Sequence, residues 1–240
     1  LHARLLERAT QLSVERGGGS LTALPIVETQ ERNLSAYIPT NLISITDGQI
    51  VMSPDLAARG ILPAVDIGFS VSRVGSKAQL PALRAVAGRL RLAYAQFEEL
   101  ERFARFGADV DKATQQTLRR GRRVRASFAQ GALEAVPAGQ QVALMLAVGE
   151  GLLDDVPATD VAHVERRLAA LAKQRHAELL SRLEDGAEMS DADRNALLGT
   201  AREAVAETLV EATEAGTSRP EASDAETARE THDEPAEGTP

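Results

Sequence analysis

The sequence predicts an α/β layer, then an all-α helical bundle, then a disordered acidic tail. Three observations carry this. Up to about Ser76, short helical and strand-like runs alternate between turn signals. From Lys77 to Ala215, long stretches repeat apolar residues at helical spacing. From Gly216 to Pro240 no large apolar residue occurs.

The first region opens inside an amphipathic helix, because Leu1, Leu5, Leu6, Ala9 and Leu12 recur at helical spacing. Gly17-Gly18-Gly19-Ser20 ends it, and a strand-like run follows from Leu21 to Glu28. Pro39 and Thr40 begin a helix running towards Thr46. Asp47-Gly48 reads as a turn and Gln49 to Met52 as a short strand. Ser53-Pro54 supplies a capping hydroxyl and a proline at the first helical position, and Gly60 closes that helix. This alternation points to a parallel sheet. The next segment, up to Gly75, reads as an apolar stretch and a loop that carries Arg73.

The second region predicts five helices. Leu80 to Phe106 has Pro81 in its first turn, where proline is tolerated, and a broad stripe that includes Leu83, Val86, Leu90 and Phe97. Asp111 to Gln130, Ala138 to Val148 and Asp160 to Leu183 follow. Ser190 with Asp193 reads as a capping box that opens a fifth helix, continuing to Ala215. Short loops make the neighbours antiparallel. The tail from Ala215 has seven acidic residues and two arginines, a net −5 out of −8 for the whole chain. With so little apolar surface it is expected to stay unfolded.

Composition excludes several function classes. There is no cysteine, so no disulfide, thiolate nucleophile or Cys-based metal site exists. His2, His163, His176 and His232 lack metal-ligand spacing, so no metal is assigned. No run of about 18 apolar residues occurs, so no transmembrane helix is expected. Arg119-Arg120-Gly121-Arg122-Arg123-Val124-Arg125 puts five arginines in seven positions. It reads as a solvated helix face in preference to a nucleic-acid patch. No aromatic residues interleave with it, and the chain is acidic overall. A nucleic-acid-binding helical module stays open as a lesser alternative.

Local sequence alone makes Arg73 a surface or salt-bridge arginine. Phosphoryl transfer is the chemistry that would need it, since a planar guanidinium can donate two hydrogen bonds to the transferred group. Longer segments change the weighing. Leu1 to Ala9 (LHARLLERA), Gly17 to Gln30 (GGGSLTALPIVETQ), Ser35 to Ile50 (SAYIPTNLISITDGQI) and Pro63 to Gly75 (PAVDIGFSVSRVG) resemble, in order, segments of F-type ATP synthase alpha subunits. The resemblance continues through Phe103 to Asp109 and more weakly to about Leu183.

It implies the α/β remnant of a RecA-like nucleotide-binding domain at residues 1–76, a C-terminal helical domain at 77–215 and the tail at 216–240. It implies that Arg73 is an arginine finger, reaching ATP on a neighbouring beta subunit. Ser44 matches a serine lining that interface, and Ser72 and Asp47 match neighbours that hold the loop. Turn and cap chemistry is the plainer reading of all three. The family's non-catalytic nucleotide site carries over only to Leu62, Pro63 and Gln130. Even there the pattern departs: Leu62 stands where the family commonly has arginine, and Ala132 where it has a second glutamine. These departures suggest a divergent paralogue, like the sodium-translocating relatives.

The implied cofactors are ATP or ADP with Mg, whose phosphate and metal ligands lie mostly outside this chain. The implied partners are beta subunits and the central-stalk gamma subunit in an alternating hetero-oligomer. Membrane contact comes only through the complex, at the cytoplasmic face of the bacterial inner membrane. The chain starts without Met and has no Gly-x-x-x-x-Gly-Lys-Ser/Thr loop, so it reads as the C-terminal half of a larger protein. A truncated paralogue that acts only as an interaction protein is the alternative.

Overall fold

The computed structural model describes residues 1–104 and 111–214. The chain divides into two compact units. One comprises Leu1–Leu80 with Ala129–Glu134, the other Pro81–Phe128 with the chain from Ala135 onward. The expected tail at 216–240, and the part of the family resemblance at 105–109, lie outside the described residues.

The first unit contains α1 (His2–Leu6), β1 (Thr10–Gln11), β2 (Ser20–Leu21), α2 (Tyr37–Ile45), β3 (Gly48–Met52), α3 (Pro54–Ala58) and β4 (Val65–Ser72). The opening helix is shorter than its apolar spacing predicts. Positions 10 and 11 pair instead with Leu21 and Ser20 in an antiparallel hairpin, and Leu12 N–H bonds Gly19 O at 2.8 Å. Gly17 and Gly18 make this possible, with φ of +95° and +65° in the left-handed region that favours glycine. Of the strand expected from Leu21 to Glu28 only Leu21 is paired, as the second residue of β2. Within the lost part, Pro25 has no N–H to give a ladder.

The parallel sheet is not found. The strands among the described residues form two antiparallel pairs, β1 with β2 and β3 with β4. A parallel pair needs a long crossover, and α3 with its flanking turns only reverses the chain from β3 into β4. β4 itself was hidden in the stretch read as an apolar segment and loop. The start of α3 is as expected: Ser53 Oγ accepts from Leu56 N–H at 3.4 Å and Pro54 follows it. Pro39 lies buried in the first turn of α2, where a helix leaves N–H groups unbonded in any case.

The second unit has six helices among the described residues: α4 (Pro81–Ala104), α5 (Lys112–Ser127), α6 (Ala138–Gly149), α7 (Val161–Arg175), α8 (Ala177–Glu184) and α9 (Asp191–Glu214). The single helix expected from Asp160 to Leu183 breaks at His176, where φ is −129° and ψ 33°. After the break α8 packs on α6, and Leu179, Leu180 and Leu183 are buried. A Cβ on Gly139 of α6 would lie 3.1 Å from Leu180 Cα, so the two helices approach closely there. Helix α6 is buried on nearly every side, through Val142, Ala143, Leu144, Leu146, Ala147 and Val148, and forms the centre of the bundle. Phe97, Leu153, Leu168, Leu183 and Leu197 complete the most deeply buried layer.

Carboxylates cap two helices. Asp111 Oδ1 accepts from Thr114 N–H at 2.8 Å. The capping box at α9 is present: Ser190 Oγ accepts from Asp193 N–H at 3.1 Å, and Asp193 Oδ2 accepts from Ser190 N–H at 3.1 Å. Hydrogen bonds from Ser190, with Arg182 adding to them, hold the Asp193 carboxyl below the ordinary range. Those from Thr114 do the same for Asp111. A carboxyl lowered on folding adds stability above its unfolded pKa and loses it as pH falls through the folded value. Asp154 runs the other way. Burial raises it, so its contribution is present at low pH and lost as pH rises through its folded value. Glu203 is lowered too, by its hydrogen bond and ion pair with Arg175, so three lowered carboxyls stand against one raised and favour a loss in acid. The melting temperature should fall below about pH 4, and Asp193→Ala should flatten part of that fall. Thermal melts between pH 3 and pH 7 read this directly.

Candidate functional site

Arg73 follows β4 directly. Pairing of Gly48 with Ser72 brings the end of β4 beside the start of β3, and Arg73 N–H bonds Asp47 O at 2.7 Å. The Arg73 side chain reaches over to the C-terminus of α2. Its Nη2 donates to Ile43 O at 2.8 Å and its Nη1 to Ser44 O at 3.2 Å. The last carbonyls of a helix lack partners inside it and carry partial negative charge, so a cation is favoured there. The head group stays exposed, and two bonds leave donors of the five-donor guanidinium free. The result is an exposed planar cation anchored on the C-terminal carbonyls of α2.

Ser44 and Ser72 stand near Arg73, but their hydroxyls serve the backbone. Ser44 Oγ donates to Asn41 O at 2.7 Å, and Ser72 Oγ accepts from Gly75 N–H at 3.0 Å. Ser44 thus meets Arg73 through its carbonyl. Asp47 does so too, while Thr46 Oγ1 bridges Leu42 O and Gly48 O at 2.9 and 3.0 Å and shapes the turn between α2 and β3. Gly48 is required there by close approach, since a Cβ would lie 2.3 Å from Val71 O. Sequence reasoning missed Ile43. It contributes a carbonyl, and residue identity gives no sign of that.

Leu62, Pro63 and Gln130 also come together. Gln130 N–H donates to Leu62 O at 3.0 Å, while the Gln130 side-chain amide donates to Glu134 O. Leu62 and Pro63 are joined by a cis peptide bond, and the Leu62 side chain is 56% exposed. An exposed aliphatic face beside an amide suits the edge of a nucleobase. It offers nothing charged for phosphates, and among the described residues no cluster of three or more His, Asp or Glu is placed to hold a metal.

The arginine cluster is a different case. Neither a solvated face nor a nucleic-acid patch describes it well, because three of its five members turn inward. Arg125 pairs in bidentate fashion with Glu101 at 2.8 and 2.9 Å, bonds the Tyr94 hydroxyl at 3.2 Å and lies 4.5 Å from the centre of the Phe97 ring. Burial works against its charge, but the Glu101 and Tyr94 bonds outweigh it and leave the pKa raised. Arg120 bonds Gly149 O, and Arg123 is buried. Only Arg119 and Arg122 face outward.

Comparison with known proteins accounts for both units. Residues 1–72 match the nucleotide-binding domain of the ATP synthase alpha/beta family, and residues 79–204 match the C-terminal domain of the ATP synthase alpha/beta chain. The protein belongs to the ATP synthase alpha/beta family. Its relatives include "ATP synthase subunit alpha 2" of Albidiferax ferrireducens, 55% identical over 206 residues, which are 86% of this chain and 39% of that protein. "ATP synthase subunit alpha 1" of Chlorobium luteolum is 54% identical over 205 residues, 85% of this chain and 40% of that one. The chain therefore spans about two-fifths of the length of these alpha subunits. Within the family, this chain resembles alpha subunits. Arg73 lies between the two matched domains, one residue past the first match. No helix among the described residues is long and apolar enough to cross a membrane.

Proposed function

We infer that this chain is the C-terminal part of a non-catalytic alpha subunit in the head of a rotary ATP synthase. Its role there is to supply Arg73 in trans to the catalytic site of a neighbouring beta subunit. The observation that carries this is the geometry of Arg73. A guanidinium is held by Ile43 O and Ser44 O and left exposed. Charge that develops on a transferring phosphoryl group is stabilised by such a fixed planar donor. Held in place on one subunit and needed on another, it would tie turnover to the subunit arrangement.

In this reading residues 1–76 complete a RecA-like domain, 77–215 form the helical domain, and 216–240 are an acidic extension. Ser44 and Ser72 act on the Arg73 loop through backbone contacts. Leu62, Pro63 and Gln130 border the base of a non-catalytic ATP or ADP, whose phosphate and Mg ligands would come from elsewhere. The partners are beta subunits alternating with this one and a central gamma subunit. The complex couples ATP synthesis or hydrolysis to movement of protons or sodium, from the cytoplasmic face of the inner membrane. The test is ATP turnover by the assembled head carrying Arg73→Ala. Turnover close to the unsubstituted level would defeat the assignment.

A further inference from the structure

The strand that delivers Arg73 does not pair evenly. Gln49 pairs with Val71, and Val51 pairs with Asp66. Between these positions β3 has one residue, Ile50, whereas β4 has Ile67, Gly68, Phe69 and Ser70. The surplus is looped out, and an ordinary ladder would leave the backbone groups around it without partners. Bulges of this kind bend a strand and re-aim the residues beyond.

Three side chains tie the loop together. Asp66 Oδ1 accepts from Phe69 N–H at 3.0 Å. Ser70 Oγ donates to Asp66 O at 2.5 Å and accepts from Val51 N–H at 3.0 Å, standing in for a ladder bond across the two strands. Gln49 Nε2 donates to Phe69 O at 3.3 Å. Two residues after Ser70 the ladder has resumed with Ser72 opposite Gly48, and Arg73 comes next. The register of Arg73 against α2 thus depends on how many residues the bulge absorbs. Asp66 closes the loop within β4 from both its carboxylate, which holds Phe69 N–H, and its carbonyl, which holds Ser70 Oγ, and only the first of these is lost when its side chain is removed.

We propose that Asp66 is a positioning residue for Arg73. Its carboxylate fixes the bulge in β4 and so sets where the guanidinium stands. This rests on the reading of Arg73 given above. The bonds Asp66 makes are to Phe69 and Ser70 of its own strand, and it acts on Arg73 through that strand. Loss of its acceptor frees Phe69 N–H, loosens the loop and lets the following residues shift. Displacement of a catalytic group by about 1 Å costs up to about 100-fold in rate.

The experiment uses the assembled head with the full-length subunit. It compares Asp66→Ala, Asp66→Asn, Arg73→Ala and the Asp66→Ala/Arg73→Ala pair. Asp66→Ala should lower kcat between about tenfold and 100-fold with KM for ATP and subunit stoichiometry unchanged. Asp66→Asn keeps an oxygen acceptor and should restore most of the rate. In the Arg73→Ala background Asp66→Ala should add no further loss, since the group it positions is gone. Losses that multiply in the pair, or no rescue by Asn, would overturn the proposal. So would Asp66→Ala at full turnover beside an impaired Arg73→Ala, which leaves the arginine reading standing. Arg73→Ala at full turnover would overturn both.

Discussion

Arg73→Ala should lower ATP turnover by the assembled head about 1,000-fold or more, with subunit stoichiometry unchanged. The magnitude is that of an arginine supplied to a phosphoryl-transfer site. The sparing of assembly follows from local geometry. The side chain is exposed and its two bonds go to the end of a nine-residue helix. A cation at such an end contributes about 0.3–1 kcal/mol, too little to unfold the unit. The strand–turn contact that holds the backbone, Arg73 N–H to Asp47 O, does not involve the side chain. Arg73→Lys should fall between the two, because an ammonium keeps the charge and loses the planar fork. Steady-state hydrolysis, with stoichiometry read from the purified complex, measures both effects.

Gly121→Ala destabilises the helical unit by about 1–3 kcal/mol or more. Gly121 is buried on α5, and a Cβ there would lie 1.9 Å from Phe97 Cγ and 2.4 Å from Phe97 Cβ. Phe97 has no exposed surface into which to retreat. It also lies against Tyr94, at 5.8 Å between ring centres, and under the Arg125 guanidinium. Moving the ring therefore disturbs the Arg125–Glu101 pair, which is itself largely buried, with side-chain exposures of 11% and 18%. Phe97→Ala in the Gly121→Ala background should recover part of the loss, because it removes Cγ and Cδ2, the two ring atoms nearest the new methyl. On its own Phe97→Ala should destabilise. Thermal or urea unfolding of the four proteins gives the coupling, and simple additivity would contradict the contact.

The helical unit was mostly legible because each helix carries its own signals. Ser190 with Asp193 marks the start of α9, and the cap predicted there is made, while the helix expected from Asp111 starts with that residue as its cap. The break at His176 was not legible. Apolar periodicity runs through it, and the turn serves packing of α8 on α6, which no local signal reports. In the first unit the strands were hard to read for a related reason. The hairpin of β1 and β2 overrides a helical pattern through Gly17 and Gly18, and β4 lost its alternation to the bulge at Ile67–Ser70. Arg73 stood out only through the resemblance of the segments around it. Its anchors, Ile43 O and Ser44 O, are backbone atoms and leave no trace in residue type. The arginine cluster misled in another way, since charge density alone does not tell an outward face from a buried pair such as Arg125 with Glu101.

The central claim is that position 73 lies beside the catalytic nucleotide of a neighbouring beta subunit. These 240 residues contain no cysteine, so Arg73→Cys, with any cysteines elsewhere in the head replaced, gives a single site for a nitroxide label. In the assembled head, with Mn2+ in place of Mg2+, nucleotide bound to beta should broaden the nitroxide spectrum. The broadening should vanish when beta is altered so that it cannot bind nucleotide. A spectrum indifferent to nucleotide on beta would place position 73 away from the reacting phosphates and contradict the account.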